Sequence, residues 1–209
     1  MAREGVEDGP ERFRGILEAI DRENSSDPTI VEYRGESIPL ALAEGRVAYR
    51  WVRRLREDDP RGCPESLLIA GRGHHIRRWE TPRSRFPEGR KGYLAWRRHL
   101  YEVHAGHLSR LMREYGYTDS DLRALERIVH KRRIKTDPDV QSYEDAVALT
   151  FFEIQFAPFA ERTGRELLLR ALRRTWRKMS PEGREAALSL AFPPKLERLL
   201  GEAVEEDEG

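Results

Sequence analysis

Residues Ser142–Ala160 read SYEDAVALTFFEIQFAPFA. Wound at 3.6 residues per turn, this run is apolar on nearly every side, the mark of a helix buried at the centre of a helical domain. One group disturbs it. Asp145 shares a face with Leu149 and Phe152, beside Ala148. A buried carboxylate costs several kcal/mol unless it is paired or bound to a metal. Its neighbour Glu144 points about 100° away around the helix. An arginine partner or a metal ion would each resolve the conflict.

Reading outward, the flanks are helical too. GRELLLRALRRTWRKM (164–179), SPEGREAALSLAF (180–192) and PKLERLLGEAVEE (194–206) predict helices, with Ser180-Pro181 a cap followed by a first-turn proline. Upstream, TDSDLRALERIVHKRRI (118–134) opens on capping residues. YLAWRRHLYEVHAGHLSRLMREYG (93–116) is a long amphipathic helix ending at Gly116. ETPRSRFPEGRKGY (80–93) must be an ordered loop or lid, PESLLIAGRGHHIRRW (64–79) a helix, and KTDPDVQ (135–141) a turn. LALAEGRVAYRWVRRLRED (40–58) turns Leu42, Val47, Trp51, Val52 and Leu55 inward, and PERFRGILEAIDREN (10–24) spaces Phe13, Ile16, Leu17 and Ile20 helically. Between those two helices, SSDPTIVEYRGESIP (25–39) is a loop or brief hairpin. The expectation is one all-α domain over residues 1–209, a bundle of about eight or nine helices, with the acidic tail from about residue 202 disordered.

Composition narrows the function classes. Of the 209 residues 38% are hydrophobic and 36% charged, polar but still able to build a core. No run of 18 apolar residues exists, so no membrane span is expected. The charged start MAREGVEDGPERF does not read as a signal peptide, and the lone Cys63 excludes an internal disulfide or a cysteine zinc site, so the cytoplasm is the expected compartment. Net charge is +1, yet from Arg61 to Thr136 there are 18 Lys/Arg against 8 Asp/Glu. Such an excess attracts anions, whether phosphates, carboxylates or nucleic acid. There is no GxxxxGK[ST] loop, no GxGxxG and no GxSxG elbow.

Candidate site residues cluster around LIAGRGHHIRRWETPRSRFP (68–87). His74 and His75 adjoin Arg77, Arg78 and Arg83, and Arg97 follows on the next helix. Planar guanidinium groups suit phosphate or carboxylate. Trp79, Trp96 and Tyr93 either stack on a base or fill the core. His104 lies on the inward stripe with Leu100, Leu108 and Leu111. Imidazole and carboxylate from facing helices build metal sites in helical domains, so His74 or His75, together with His104 and Asp145, are the expected ligands of a Mn, Fe, Ni or Zn ion. Lys135, in the 135–141 turn, is a further candidate catalytic group.

That order resembles the HD-domain superfamily of metal-dependent phosphohydrolases and diiron oxygenases. GRGHHIRRW resembles its His-Asp segment with His75 in the Asp position, HAGHLSRLMREYGYTDSDLRALERIVHK resembles the next helix pair through His104 and His130, and QSYEDAVALTFFE resembles the final helix through Asp145. The early histidine is missing, with Glu44 its nearest substitute. A second resemblance spans nearly the whole chain. The stretches HIRRWE-PRS-FP--R-GYL-WR (His75–Arg97), K-D-VQ--ED (Lys135, Asp137, Val140, Gln141, Glu144, Asp145) and TWRKMSP-G-EAAL (Thr175–Leu188) resemble the bacterial and fungal family of domain of unknown function 4202, in which His74 stands where Gln is expected. That likeness implies a helical fold and no particular activity. Together these resemblances imply an HD-like metal-dependent hydrolase of a small phosphorylated or nucleotide-like substrate, with Glu44 as fourth ligand or base. An HD-like iron oxygenase on the same ligands, or a non-catalytic protein binding anions or nucleic acid, are the alternatives.

Overall fold

The computed structural model describes residues 10–208, with side chains through residue 205. Helix α1 (Pro10–Asn24) leads into a hairpin of β1 (Ile30–Tyr33) and β2 (Glu36–Pro39), antiparallel with Ile30 opposite Pro39 and Tyr33 opposite Glu36. Its two-residue turn, Arg34-Gly35, has positive φ at both positions (54° and 81°), the twist that a tight hairpin demands. The helices α2 (Leu40–Leu55), α3 (Glu65–Arg72), α4 (Gly89–Glu114), α5 (Asp119–Val129) and α6 (Pro138–Thr150) come next. Then come α7 (Phe156–Arg162), α8 (Arg165–Trp176), α9 (Pro181–Leu188) and α10 (Pro194–Glu208).

The all-α expectation holds, and the caps fall where side-chain chemistry puts them. Thr118 and Asp121 form a reciprocal capping box on α5. Asp137 caps α6 ahead of Pro138, and Ser180 accepts from the Gly183 N–H (3.0 Å) ahead of Pro181. Past the end of α4 Gly116 takes φ 75°, and the Tyr117 N–H reaches back to the Met112 carbonyl (3.0 Å), which closes the helix.

Helix α2 lies at the centre, with α3 and α6 packed against it. The approach to α3 is close: a Cβ on Gly45 would sit 2.2 Å from the Arg72 carbonyl oxygen, so only glycine fits. One apolar core, with Ile16, Ile20, Trp51, Leu67, Leu108 and Leu149 among its members, joins all the layers into a single domain.

Three expectations need correction. The helix expected over 64–79 stops at Arg72, because Gly73 is pressed against Leu108 and Arg77 adopts a left-handed φ of 54°. Residues 73–77 therefore form a turn, and Arg78–Glu80 and Arg83–Arg85 form short 3₁₀ turns before α4. The buried run 142–160 begins earlier, at Pro138, and is broken by a π turn at Phe151–Gln155, so α6 and α7 replace one helix. The acidic tail continues α10 to Glu208, because Leu196, Leu200 and Ala203 bury one face of that helix and α8 packs against it. Residues 1–9 and Gly209 lie outside the described residues.

Candidate functional site

Glu44 sits on the inward stripe of α2 with Ala41, Ala48 and Trp51, and is 2% exposed. His75, delivered by the turn after α3, places Nδ1 against Glu44 Oε2 in a very short contact. Gln155, the last residue of the π turn, donates its amide to Glu44 Oε1. Arg78 Nη1 lies 3.0 Å from His75 Nε2 and 3.2 Å from Nδ1, a position over the face of the ring rather than on an in-plane lone pair. Against an ionised Glu44, Nδ1 must donate, which leaves the lone pair on Nε2. His74 stacks on His75 with ring centroids 3.8 Å apart, its Nδ1 3.3 Å from the Tyr143 hydroxyl. His104, on α4, donates Nδ1–H to the Ile76 carbonyl (2.8 Å), and its ring centre is 6.0 Å from that of His75.

Cations converge on this group. The Arg78 guanidinium lies 5.2 Å over the Trp96 ring. Arg97 donates to the Tyr101 hydroxyl (2.9 Å). Among the described residues neither guanidinium forms an ion pair, although both are half-buried. Lys131, from the turn after α5, pairs with Glu144 and lies 5.4 Å over the Tyr143 ring, while Lys178 reaches the other Glu144 oxygen at 3.1 Å. Burial raises the Glu44 carboxyl to about 7, against the pull of Arg78, Gln155 and His104. Burial also pushes Glu144 up, but Lys131 and Lys178 outweigh it and hold it at about 2. Burial, reinforced by Arg78, His104, Arg97 and Lys131, drives His75 well below the ordinary histidine range. His104 falls to about 4, mainly through burial. The result is a neutral imidazole and a proton-accepting carboxyl side by side, facing positive charge.

The structure brings together Glu44, His75, His104, Arg78 and Arg97 from the sequence candidates, and leaves the others elsewhere. Asp145 is two residues, about 200°, around α6 from Tyr143, the residue that faces His74. Its carboxylate accepts from the Ser180 N–H (2.9 Å) and the Gln141 amide (3.0 Å) at the start of α9. It joins neither an arginine nor the histidines, and the expected set of His75, His104 and Asp145 is not assembled. The donors that remain are not arranged for a metal ion: Nδ1 of His75 faces Glu44, Nδ1 of His104 faces the Ile76 carbonyl, and the Arg78 cation lies over the His75 ring. No group of three or more His, Cys, Asp or Glu among the described residues is arranged to hold one.

Lys135 is exposed and donates to the Met179 carbonyl (3.2 Å), tying the turn before α6 to the loop before α9. Arg77 pairs with Glu23 and Glu80, and Arg83 braces its own loop through the carbonyls of Phe86 (2.8 Å) and Pro87 (2.7 Å). His130 stands 3.7 Å from Glu102, outside the cluster. Sequence reading missed Gln155, Lys131, Tyr101 and Tyr143. An amide inside the apolar FFEIQF run was a signal for Gln155; nothing local marks Lys131.

The family described as a domain of unknown function (DUF4202) matches residues 14–200. No curated protein and no solved structure matches the chain.

Proposed function

The chain belongs to the DUF4202 family, and from that premise we propose that its buried polar cluster binds and hydrolyses a small phosphorylated, nucleotide-like substrate. Supporting this reading is one observation above others: Arg78 and Arg97 hold half-buried charge beside an acid–base pair, and among the described residues no carboxylate lies within ion-pair distance of either. Burying an unpaired cation costs several kcal/mol, and a bound anion offsets that cost through charge-assisted, bidentate hydrogen bonds.

In this reading Arg78 and Arg97 hold the phosphoryl oxygens and stabilise the charge that builds on them. Glu44 fixes the His75 ring, whose Nε2 takes a proton from the attacking water as the water oxygen bonds to phosphorus. The bond from phosphorus to the leaving oxygen breaks, and the proton held on His75 returns to that oxygen. Arg77, Arg83 and Lys135 hold the surrounding backbone and have no part in the chemistry.

Phosphate release from a panel of nucleotides and sugar phosphates tests the reading. At least one substrate should turn over, and His75→Ala should lower kcat by about 10²–10⁴-fold while the fold is retained. Arg97→Ala should chiefly raise KM. A panel bound tightly without turnover would make the cluster a binding site alone.

A further inference from the structure

Among the described residues Tyr93 is the one Phe, Tyr or Trp side chain that is exposed, at 38%. It stands near the start of α4, one turn before Arg97 and on the same face, since four residues advance a helix by about 6 Å and about 40°. That face continues inward through Tyr101, which accepts from Arg97 (2.9 Å), to the buried His104 beside His75. The Tyr93 hydroxyl is within electrostatic reach of both Arg78 and Arg97. Its ring centre is 5.9 Å from that of Trp96, over which Arg78 lies. Trp96 itself has no free face to offer: it is buried, and its indole N–H donates to the Thr81 carbonyl (2.9 Å). The loop before α4 leaves the Tyr93 ring open. It presses on the helix at Gly92, where a Cβ would lie 1.8 Å from the Pro87 carbonyl oxygen, about 100° around from Tyr93. Arg83 ties that loop down through the Phe86 and Pro87 carbonyls. One face of α4 therefore starts with an open aromatic ring, passes the two cations that lack carboxylate partners, and ends at the histidines.

We propose that Tyr93 is the stacking platform for the aromatic base of a nucleoside monophosphate whose phosphate lies at Arg78 and Arg97. This rests on the reading of the cluster as a phosphate-binding hydrolytic site, and it names which small phosphorylated compounds that site selects. Spacing is the first warrant. In a nucleoside monophosphate a single ribose separates phosphate from base, a span comparable to the helical turn, about 6 Å, between Arg97 and Tyr93. Surface is the second. A sugar phosphate brings only hydroxyls to the tyrosine ring and leaves its face in water. A base covers that face and removes two flat, weakly hydrated surfaces from water at once. Stacking on one ring favours any base over none, and the larger purines over the pyrimidines by contact area. Tyr93 is thus a binding residue set apart from the step at phosphorus: it acts on affinity and leaves proton transfer at His75 untouched.

Calorimetric titration of the full chain with adenosine monophosphate, ribose phosphate and inorganic phosphate tests this. The wild type should bind adenosine monophosphate about 5- to 100-fold more tightly than ribose phosphate, the range that base–aromatic stacking spans. Tyr93→Ala changes an exposed side chain and should fold. It should bring adenosine monophosphate down to the affinity of ribose phosphate while leaving ribose phosphate and inorganic phosphate as they were. Tyr93→Phe keeps the ring and should keep the preference; Tyr93→Leu keeps apolar bulk without the ring and should lose most of it. Arg97→Ala, at the other end, should weaken all three ligands together. Equal binding of adenosine monophosphate and ribose phosphate by the wild type overturns the platform and leaves the phosphate site standing. A preference that survives Tyr93→Ala, or a Tyr93→Ala variant that weakens all three ligands alike, does the same. If none of the three ligands binds, the phosphate-site reading fails with it.

Discussion

Glu44 is a carboxyl that the fold holds at about 7 against an ordinary value of 4.5, chiefly by burial. Because its folded value is raised, its contribution to stability is complete below about pH 4.5 and is lost as the pH rises through about 7, a loss of roughly 3 kcal/mol. Glu44→Gln cannot ionise. Its stability relative to wild type should improve by about that amount between pH 5 and pH 8, read from urea unfolding at the two values. An unchanged difference would mean that Glu44 is solvated or fully compensated. The histidines work in the opposite direction. His104 falls to about 4, and His74 and His75 lie well below their usual 6.5. The contribution of His104 is present above pH 6.5 and is lost as the pH falls through about 4, and those of His74 and His75 are lost in the same direction. His104→Gln should therefore make the acid-side loss shallower between those values. The cluster is thus stressed from both sides of the pH scale.

Among the secondary-structure elements, the π turn at Phe151–Gln155 and the junction of α6 with α9 decide where polar groups point. A π turn holds one more residue than a regular turn and rotates the residues beyond it by about 100°. Here it ends on Gln155, whose amide meets Glu44, and it includes Glu153, which gathers Arg50 (2.6 Å), the Trp51 indole (2.6 Å) and Tyr33 (3.1 Å). On the far side of α6, Asp145 accepts from the Ser180 N–H while Gly183 lies flush against its carboxylate. A Cβ on Gly183 would be 2.6 Å from Asp145 Cγ. Asp145→Ala should cost about 1–3 kcal/mol, since it strips an acceptor from buried donors. Gly183→Ala should cost about 1–3 kcal/mol through overlap. The double variant should be less destabilised than the sum, because truncating Asp145 removes the atoms that the new methyl meets. Strict additivity in thermal unfolding would show that Asp145 and Gly183 do not meet.

Over the molecule as a body, part of the arginine excess between Arg61 and Thr136 is met by carboxylates from other parts of the chain. Asp21 takes Arg72, Glu23 takes Arg77 and Arg110, and Asp137 and Asp139 take Arg127. The first three of these pairs turn α1 into an acidic cover over part of the basic segment. Binding of duplex DNA should accordingly be weak and should vanish as salt rises to physiological levels, whereas a nucleotide held at Arg78 and Arg97 should be far less salt-dependent. Fluorescence anisotropy across a salt series distinguishes the two, and tight duplex binding that survives such salt would return the function to an exposed basic face.

The elements were legible in the residue order. Helical periodicity from Phe13 to Val204 set the all-α class, and the Thr118 and Ser180-Pro181 signals set two helix starts, because both depend on residues within a turn or two of each other; Asp137-Pro138, read as part of a turn, is a third start. An inward stripe singled out His104, and local composition singled out His74, His75, Arg78 and Arg97, while Glu44 and the preference for His75 came from the family resemblances. Packing alone settled which buried polar group answers which. Asp145 and Gln155 lie in one apolar run, and nothing local separates a carboxylate that ties down the start of α9 from an amide that meets a residue 111 positions away. His74 and Tyr143 are 69 positions apart, Lys178 and Glu144 34. Such pairings arise from helix packing and from a single extra residue in a π turn, and a rotation of about 100° at that turn moves every later side chain to another face.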